Sequence, residues 1–495
     1  MNKAMQALRD VERQLFALGY AEHTIHFDDA TAAPRQSYPG RGQALGALAE
    51  MRHRLLTGSG LPALLREAEA GGLDAQQAAE VREMRRLYDE TACIPADEYA
   101  AFSQLISDAQ NVWQAARADN DFAAFAPWLE RILEARRRMA GALDPGKAPY
   151  DVWLDRYEPG MTMEKYDAFF SLLKGELSAL VRAVGEAEPV RDDFLSRAWP
   201  LGAQRALSRE LMRRIGLDEG HVALAESAHP FTIELYNGDV RITTHYHEHD
   251  MTSNMFSVIH EGGHALYELH TGDALRCTVL ASGSSMGIHE GQSRLFENYF
   301  GRSRAFLAGL WPRLRELFPA QLADVTCEEF YRAVNRCVPG LIRIHADEAT
   351  YSLHILVRYE LEKQLMDGAL AVRELPGAWN AMMKETLGVD VPDDAHGVLQ
   401  DIHWAGGDIG YFPSYALGSA YAAQIAACMR RSLDLNALLE AGDFAPINAW
   451  LCERVWRHGR ALTPDALFAN ACGEAFDAQH YIRYLKEKYA EIYRL

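Results

Sequence analysis

Three features of the sequence predict a mostly α fold, read as a single large helical domain with a deep groove and a small β-hairpin or sheet. Apolar residues recur at i, i+3, i+4 and i+7 along most of the 495 residues. Proline and glycine cluster between these stretches, as in Asp144-Pro145-Gly146 and Glu158-Pro159-Gly160. Only one short segment alternates with a period of two. It is Phe231–Tyr236, followed by the turn pair Asn237-Gly238 and a return over Val240–Thr244.

In chain order, the helical period covers residues 3–20, 40–57, 61–91, 97–118 and 121–142. Thr162 is placed to cap a helix running through Leu173. After the hairpin, helices are expected at 251–271, 288–300, 303–316, 327–336, 341–367, 415–430 and 478–493. No repeat and no low-complexity linker divides the chain. Residues from 1 to about 200 are expected to form an N-terminal helical lobe, one wall of the groove, and about 201–495 a catalytic helical region.

Acidic residues outnumber basic ones, 69 to 50, for a formal charge of −19. That balance argues against nucleic acid and against anionic membrane surfaces as partners. The N-terminus leads into an amphipathic helix, not an apolar signal core, and no apolar run of about 18 residues is present. Seven dispersed cysteines without a C-x-x-C pair read as reduced thiols, which points to a cytoplasmic protein.

The chemistry concentrates in His260-Glu261-Gly262-Gly263-His264. On a helix, residues four apart lie about 40° from each other around the axis, so both histidines face one way and can grip a divalent metal. Thr252 or Ser253 is placed to cap this helix. Two adjacent glycines in a helix interior cost about 0.5–1 kcal/mol each relative to alanine, so another backbone or a substrate strand must come close there. A catalytic zinc site needs a third protein ligand and an open position. Two frequent peptidase spacings place a glutamate where this chain has Gly283 and Ser284, neither of which offers a carboxylate. His270 falls at a third known spacing, but Tyr267 stands where that pattern requires a glycine turn. Glu290 opens a second apolar-patterned helix. It is either the third ligand or a glutamate paired with Arg294 at i+4. His245-Tyr246-His247-Glu248-His249 is a further histidine cluster, read as a wall of the site more than as a second metal centre.

Six ordered motifs resemble those of the Taq-type metallocarboxypeptidases, the thermostable carboxypeptidases. They are His229-Pro230-Phe231, the D-x-R-x-T of Asp239 to Thr243, H-E-x-x-H of His260 to His264 and His289-Glu290-Gly291-Gln292. Ile342-Arg343-Ile344-His345-Ala346-Asp347 and the G-x-x-Q-D-x-H-W of Gly397 to Trp404 complete the set. The resemblance implies a helical, groove-containing and frequently dimeric enzyme that removes single residues from peptide C-termini. It implies His260, His264 and Glu290 as ligands of one divalent metal, Zn²⁺ first and Co²⁺ or Mn²⁺ as alternatives, with Glu261 as general base. A zinc endopeptidase and a catalytically silent peptide-binding protein are the alternatives. His345, where the family pattern has an acidic residue, and Phe27–Thr31, where it has a tryptophan-containing stretch, are departures.

The chemistry then asks for further groups. His403, His229 and Tyr415 are candidate donors to a tetrahedral oxyanion. A C-terminal carboxylate asks for an arginine fork, Arg343 first, with Asp239 and Arg241 as further substrate-binding residues. Arg343 and Asp347 are four apart and would pair if one helix carried both. Asp347 and Glu297 are candidates to orient the ligand histidines.

Overall fold

The computed structural model describes residues 3–58 and 60–495, so Met1 and Asn2 of the N-terminal reading lie outside it. Among the described residues the chain forms twenty α-helices and one three-stranded sheet. It divides into two compact units that interleave along the sequence. The first comprises Met1–Thr91, Val190–Val334 and Tyr421–Asp477, the second Ala92–Pro189, Asn335–Ala420 and Ala478–Leu495. The helices before Ala92 pack with the segment that holds the sheet and the histidine motif.

In the first unit the hairpin forms as the alternation and the Asn237-Gly238 turn require. Strand β1 is Val222–Glu226, β2 is Thr232–Tyr236 and β3 is Asp239–Thr244, in the order β1-β3-β2. β2 pairs antiparallel with β3 in the register Thr232↔Ile242 and Ile233↔Arg241, while β1 runs parallel to β3. β1 escapes the sequence pattern because its Val-Ala-Leu-Ala-Glu run carries no strong strand former beyond Val222 and no turn signal toward β3. The sheet's inner side rests on the helix Met251–Leu269, with Val240 and Ile242 wholly buried.

That helix is capped by Asp250, whose carboxylate accepts from the Ser253 amide, and not by Thr252 or Ser253. Thr252 instead donates its hydroxyl to Asp250. Met251, Met255, Phe256, Val258, Ile259, Ala265, Leu266 and Tyr267 are all buried, so the helix is enclosed on most sides. A buried polar set locks it to β3: Asn254 donates its amide to Thr244 and Ser208, each at 3.0 Å, and Thr244 bonds the Ser257 hydroxyl at 2.7 Å. Buried polar groups satisfied in this way fix register as well as stability.

The two glycines answer the question posed by their cost. A Cβ at Gly263 would lie 2.6 Å from the carbonyl oxygen of Gln292 and 2.8 Å from Cα of Ser293, the backbone of the helix Met286–Arg294. A Cβ at Gly262 would lie 2.4 Å from Ile215 Cδ1, on the helix Leu201–Ile215. The helix Met286–Arg294 is followed by a π-helical turn over Leu295–Gly301, where a continuous helix to residue 300 was expected.

The second unit is organised around Glu348–Asp367, a helix buried on nearly every side. It begins seven residues later than the periodicity of 341–367 suggested, because Asp347 is its cap and accepts from the amides of Ala349 and Thr350. Arg343 sits upstream in a short 3₁₀ turn, so it does not share a helix with Asp347. Glu362 holds the segment after Gly397 by accepting from Trp404 Nε1 (2.8 Å) and the Gly410 amide (3.0 Å), and from the Tyr150 hydroxyl (2.7 Å). Thr162 caps Met163–Glu186 as the sequence suggested.

Gly263→Ala should force the two helices apart and cost about 1–3 kcal/mol, the range for overpacking a tight site. A melting temperature equal to wild type would contradict this close approach.

Candidate metal centre

His260 and His264 project from one face of Met251–Leu269, and Glu290 approaches them from the helix that Gly263 admits. One donor atom of each residue lies within 4.8 Å of the other two. His264 Nε2 is 3.5 Å and His260 Nε2 3.8 Å from Glu290 Oε2. A tetrahedral ion with bonds of about 2.0–2.2 Å holds its ligands about 3.3–3.6 Å apart, so the two histidine–glutamate distances fit a divalent metal with little adjustment.

The surroundings assign each donor its state. Glu297, on the π-helical turn, accepts from His260 Nδ1 at 2.9 Å. A carboxylate in this role only accepts, so the proton sits on Nδ1 and the Nε2 lone pair faces Glu290. Burial would lower the His260 pKa, but the Glu297 bond together with the charges of Glu290 and Glu261 outweighs it and the ring is shifted upward. His264 is pushed down to about 4 by burial and then by neighbouring His289, which keeps it neutral as a ligand must be.

Glu290 uses its two oxygens differently. Oε1 accepts from Arg294 Nε at 2.8 Å, while Oε2 faces the histidines. The Arg294 pair and the metal-facing geometry therefore coexist. Burial alone would raise the Glu290 carboxyl; Arg294 and the His264 contact outweigh it and hold it well below the usual range. Glu297 is likewise held low against burial by His260, Arg302 and Arg294. Both acids are thus anionic at neutral pH.

Glu261 lies between the two histidines. Burial raises its pKa, opposed by His260 and by the Thr232 hydroxyl, which donates to Oε2 at 2.7 Å. Thr232 was not foreseen. Its only sequence signal is its place at the start of β2, the strand nearest the motif. His270, weighed as a ligand, bonds through Nδ1 to the Leu266 carbonyl and lies against Trp456.

Other expected residues of this unit have structural partners. Arg241 and Asp239 form a two-pronged pair at 3.1 Å, and Arg241 stacks on Phe27 at 5.2 Å. His229 is exposed, and its carbonyl accepts from Ser227. His245 and His247 lie ring to ring at 4.3 Å, but among the described residues no metal-binding group of three forms around them.

In the second unit Arg343 is buried and gives both Nε and Nη2 to Asp401 Oδ1, at 3.1 and 2.9 Å. Asp401 Oδ2 accepts from Arg358 Nε at 2.7 Å. This buried Arg–Asp–Arg chain carries two cations on one carboxylate. The Asp401 carboxyl is held far below its usual range by the two arginines, against burial. His403 Nε2 and the Tyr415 hydroxyl are 3.2 Å apart, with Arg343 over the Tyr415 ring at 5.0 Å. Burial pushes His403 down to about 4, so it is neutral. Asp401 and Arg358 were missed as organising residues. Asp401 stands inside a quoted motif, but spacing alone does not reveal a partner 58 residues away. Asp347 is occupied as a helix cap, also accepting from the Val338 amide and the Thr350 hydroxyl, and of the two only Glu297 bonds one of the paired histidines.

A helical fold with an H-E-x-x-H helix, a converging glutamate and this motif order defines a metallopeptidase. Residues 7–489 match the carboxypeptidase Taq (M32) metallopeptidase family. Carboxypeptidase 1 of Bacillus subtilis is 37% identical over 98% of both chains. Thermostable carboxypeptidase 1 of Thermus thermophilus is also 37% identical, over 99% of both. Among solved structures, an M32 carboxypeptidase from Deinococcus radiodurans superposes with a TM-score of 0.97 at 38% identity over the whole of both chains. Trypanosoma cruzi metallocarboxypeptidase 1 superposes at 0.94 and 37%, again over both whole chains. The chain belongs to the M32 family of metallocarboxypeptidases, and its activity is metal-dependent hydrolysis of peptides as a carboxypeptidase.

Glu297→Gln should weaken metal binding about 10–100-fold, the usual effect of losing a ligand-orienting carboxylate, as read by chelator competition. Unchanged affinity would remove Glu297 from that role.

Proposed function

We propose that His260, His264 and Glu290 hold one Zn²⁺ and that Glu261 is the general base of a carboxypeptidase acting on short peptides. The convergence of three donor atoms within 4.8 Å, with Glu261 on the same helix, carries the reading. Bound there, a divalent metal supplies Lewis acidity that brings water's pKa toward neutrality and polarises the scissile carbonyl. Glu261, raised by burial and steered by Thr232, takes a proton from water and returns it to the leaving amine. His260, with its Nδ1–H donating to Glu297, and His264, kept neutral by burial, would each offer the Nε2 lone pair to the metal. Two histidines and a carboxylate also accept Co²⁺ or Mn²⁺.

The groups that meet the peptide belong to the same proposal. His403 and Tyr415 act as hydrogen-bond donors to the reacting carbonyl, with His229 as a further donor. Arg343 receives the terminal carboxylate, and Asp239 and Arg241 bind substrate further along. Asp401 orients the Arg343 fork, and Arg358 leaves Asp401 compensated when Arg343 is replaced. We infer further a cytoplasmic homodimer: no disulfide joins the seven cysteines among the described residues, and the family resemblance implies a dimer. Among the described residues no helix is long and apolar enough to cross a membrane.

Glu261→Gln should lower kcat about 10²–10⁴-fold, the contribution of general acid–base catalysis, while metal content measured by mass spectrometry is unchanged. Retained activity in the metal-loaded variant would overturn the base assignment. For Arg343, peptides with free and amidated C-termini separate the cases. Arg343→Met should lower kcat/KM for the free acid and leave the slow amide reaction as it was. An equal loss on both substrates would assign Arg343 to structure alone.

A further inference from the structure

The two ligand histidines are held by different means. His260 has Glu297 on its Nδ1. His264 Nδ1 is buried and meets no hydrogen-bond partner among the described residues. Its ring is instead covered by that of His289, with centroids 4.5 Å apart and planes inclined by only 24°.

His289 is itself clamped. Its Nε2 lies 2.6 Å from Glu268 Oε1, a buried carboxylate that also accepts from the Ser282 hydroxyl at 3.2 Å. Tyr267 stacks on the ring at 5.6 Å and 27°. Gly283 closes the cradle: a Cβ there would lie 2.6 Å from His289 Cδ2 and 2.9 Å from Tyr267 Cε1. The Tyr267 hydroxyl accepts from the Ser284 amide at 3.0 Å, and Arg460 Nε donates to the Gly283 carbonyl at 3.2 Å. His289 thus has fixed neighbours at its Nε2, on one ring face and at Cδ2, while part of its edge stays open to solvent.

A histidine ring turns about χ2 in a broad, shallow well, so an unsupported ligand ring spreads its lone pair over many directions. A hydrogen bond on the second nitrogen ordinarily narrows that spread. We propose that His289 is a positioning residue: held by Glu268 and the Tyr267–Gly283 cradle, its ring fixes the plane of His264 and so aims Nε2 at the metal. The inference rests on His264 being a ligand. It gives the residue before Glu290 a role separate from ligation, and it accounts for glycine at 283, where any side chain would displace His289.

The test measures Zn²⁺ affinity of metal-free protein by chelator competition in wild type, His289→Ala, His289→Phe and His264→Ala, with the melting temperature of each apo form alongside. His289→Ala should bind Zn²⁺ at least about tenfold more weakly. His289→Phe, which keeps a flat ring against His264 without a ring nitrogen, should recover most of the loss. Wild-type affinity in His289→Ala, or an equal loss in the Phe and Ala variants, overturns the proposal. If His289→Ala does not fold, the Phe variant decides alone: affinity within about threefold of wild type supports the stack, and a tenfold loss refutes it. His264→Ala keeps the two readings apart. Unchanged affinity there removes the ligand assignment itself, whereas lost affinity there with intact binding in His289→Ala removes only the positioning role.

Discussion

The close approach of two helices at Gly263 is the constraint on which the centre depends. His260 and His264 can share a face on any helix. A third donor reaches them only if a second helix comes to backbone contact, and a Cβ at residue 263 would intrude on Gln292 and Ser293. Glu290 owes its placement to that contact: it is buried, Arg294 clamps one oxygen, and the other, which accepts from the Ser293 hydroxyl at 3.2 Å, faces the histidines. Two glycines in a helix interior are locally unfavourable. They are tolerated because the helix is enclosed by a core that makes intrinsic propensity a minor term.

Charge in the first unit is arranged on the same principle of one feature serving two purposes. Glu290 and Glu297 would repel each other without Arg294, which bonds both, and Arg302, which takes the other oxygen of Glu297 at 3.0 Å. The arginines keep both acids ionised in a buried setting, where neutralisation is otherwise the cheaper outcome. In the second unit the sign is reversed, with two arginines on Asp401. Excess positive charge there suits the binding of an anion, which is the basis for giving Arg343 the carboxylate.

Much of this was legible in the sequence, for identifiable reasons. Long periodic helices such as Lys3–Thr31 and Ala96–Asp119 announce themselves because one face is apolar over many turns. The β2–β3 hairpin is announced by alternation and an Asn-Gly turn. What remained hidden depends on contacts distant in the chain. β1 is a strand because β3 pairs with it, not because Val-Ala-Leu-Ala-Glu favours one. The π-turn at Leu295–Gly301 leaves no periodic trace over seven residues. Asp250 was passed over as a cap because Thr252 and Ser253 stand beside it with similar chemistry. At the centre, residue types and spacing marked His260 and His264, and the motif resemblance pointed to Glu290, whose Oε2 the fold brings to 3.8 and 3.5 Å from them. Thr232, Asp401 and Arg358 were not marked, since a hydroxyl or an ion pair acquires its meaning only from what folding brings against it.

The interleaving of the units has a consequence for how the protein is made. The segment that seals the metal-bearing unit lies late in the chain: Trp456 Nε1 bonds Gln292 Oε1 at 2.9 Å, and the Arg457 carbonyl accepts from the Gly272 amide at 3.2 Å. On a ribosome adding about 5–20 residues per second, this segment follows Glu290 by roughly ten to thirty seconds. During that interval all three donors have been synthesised but the wall behind them has not. The wall around the donors is therefore completed only when the chain is nearly finished.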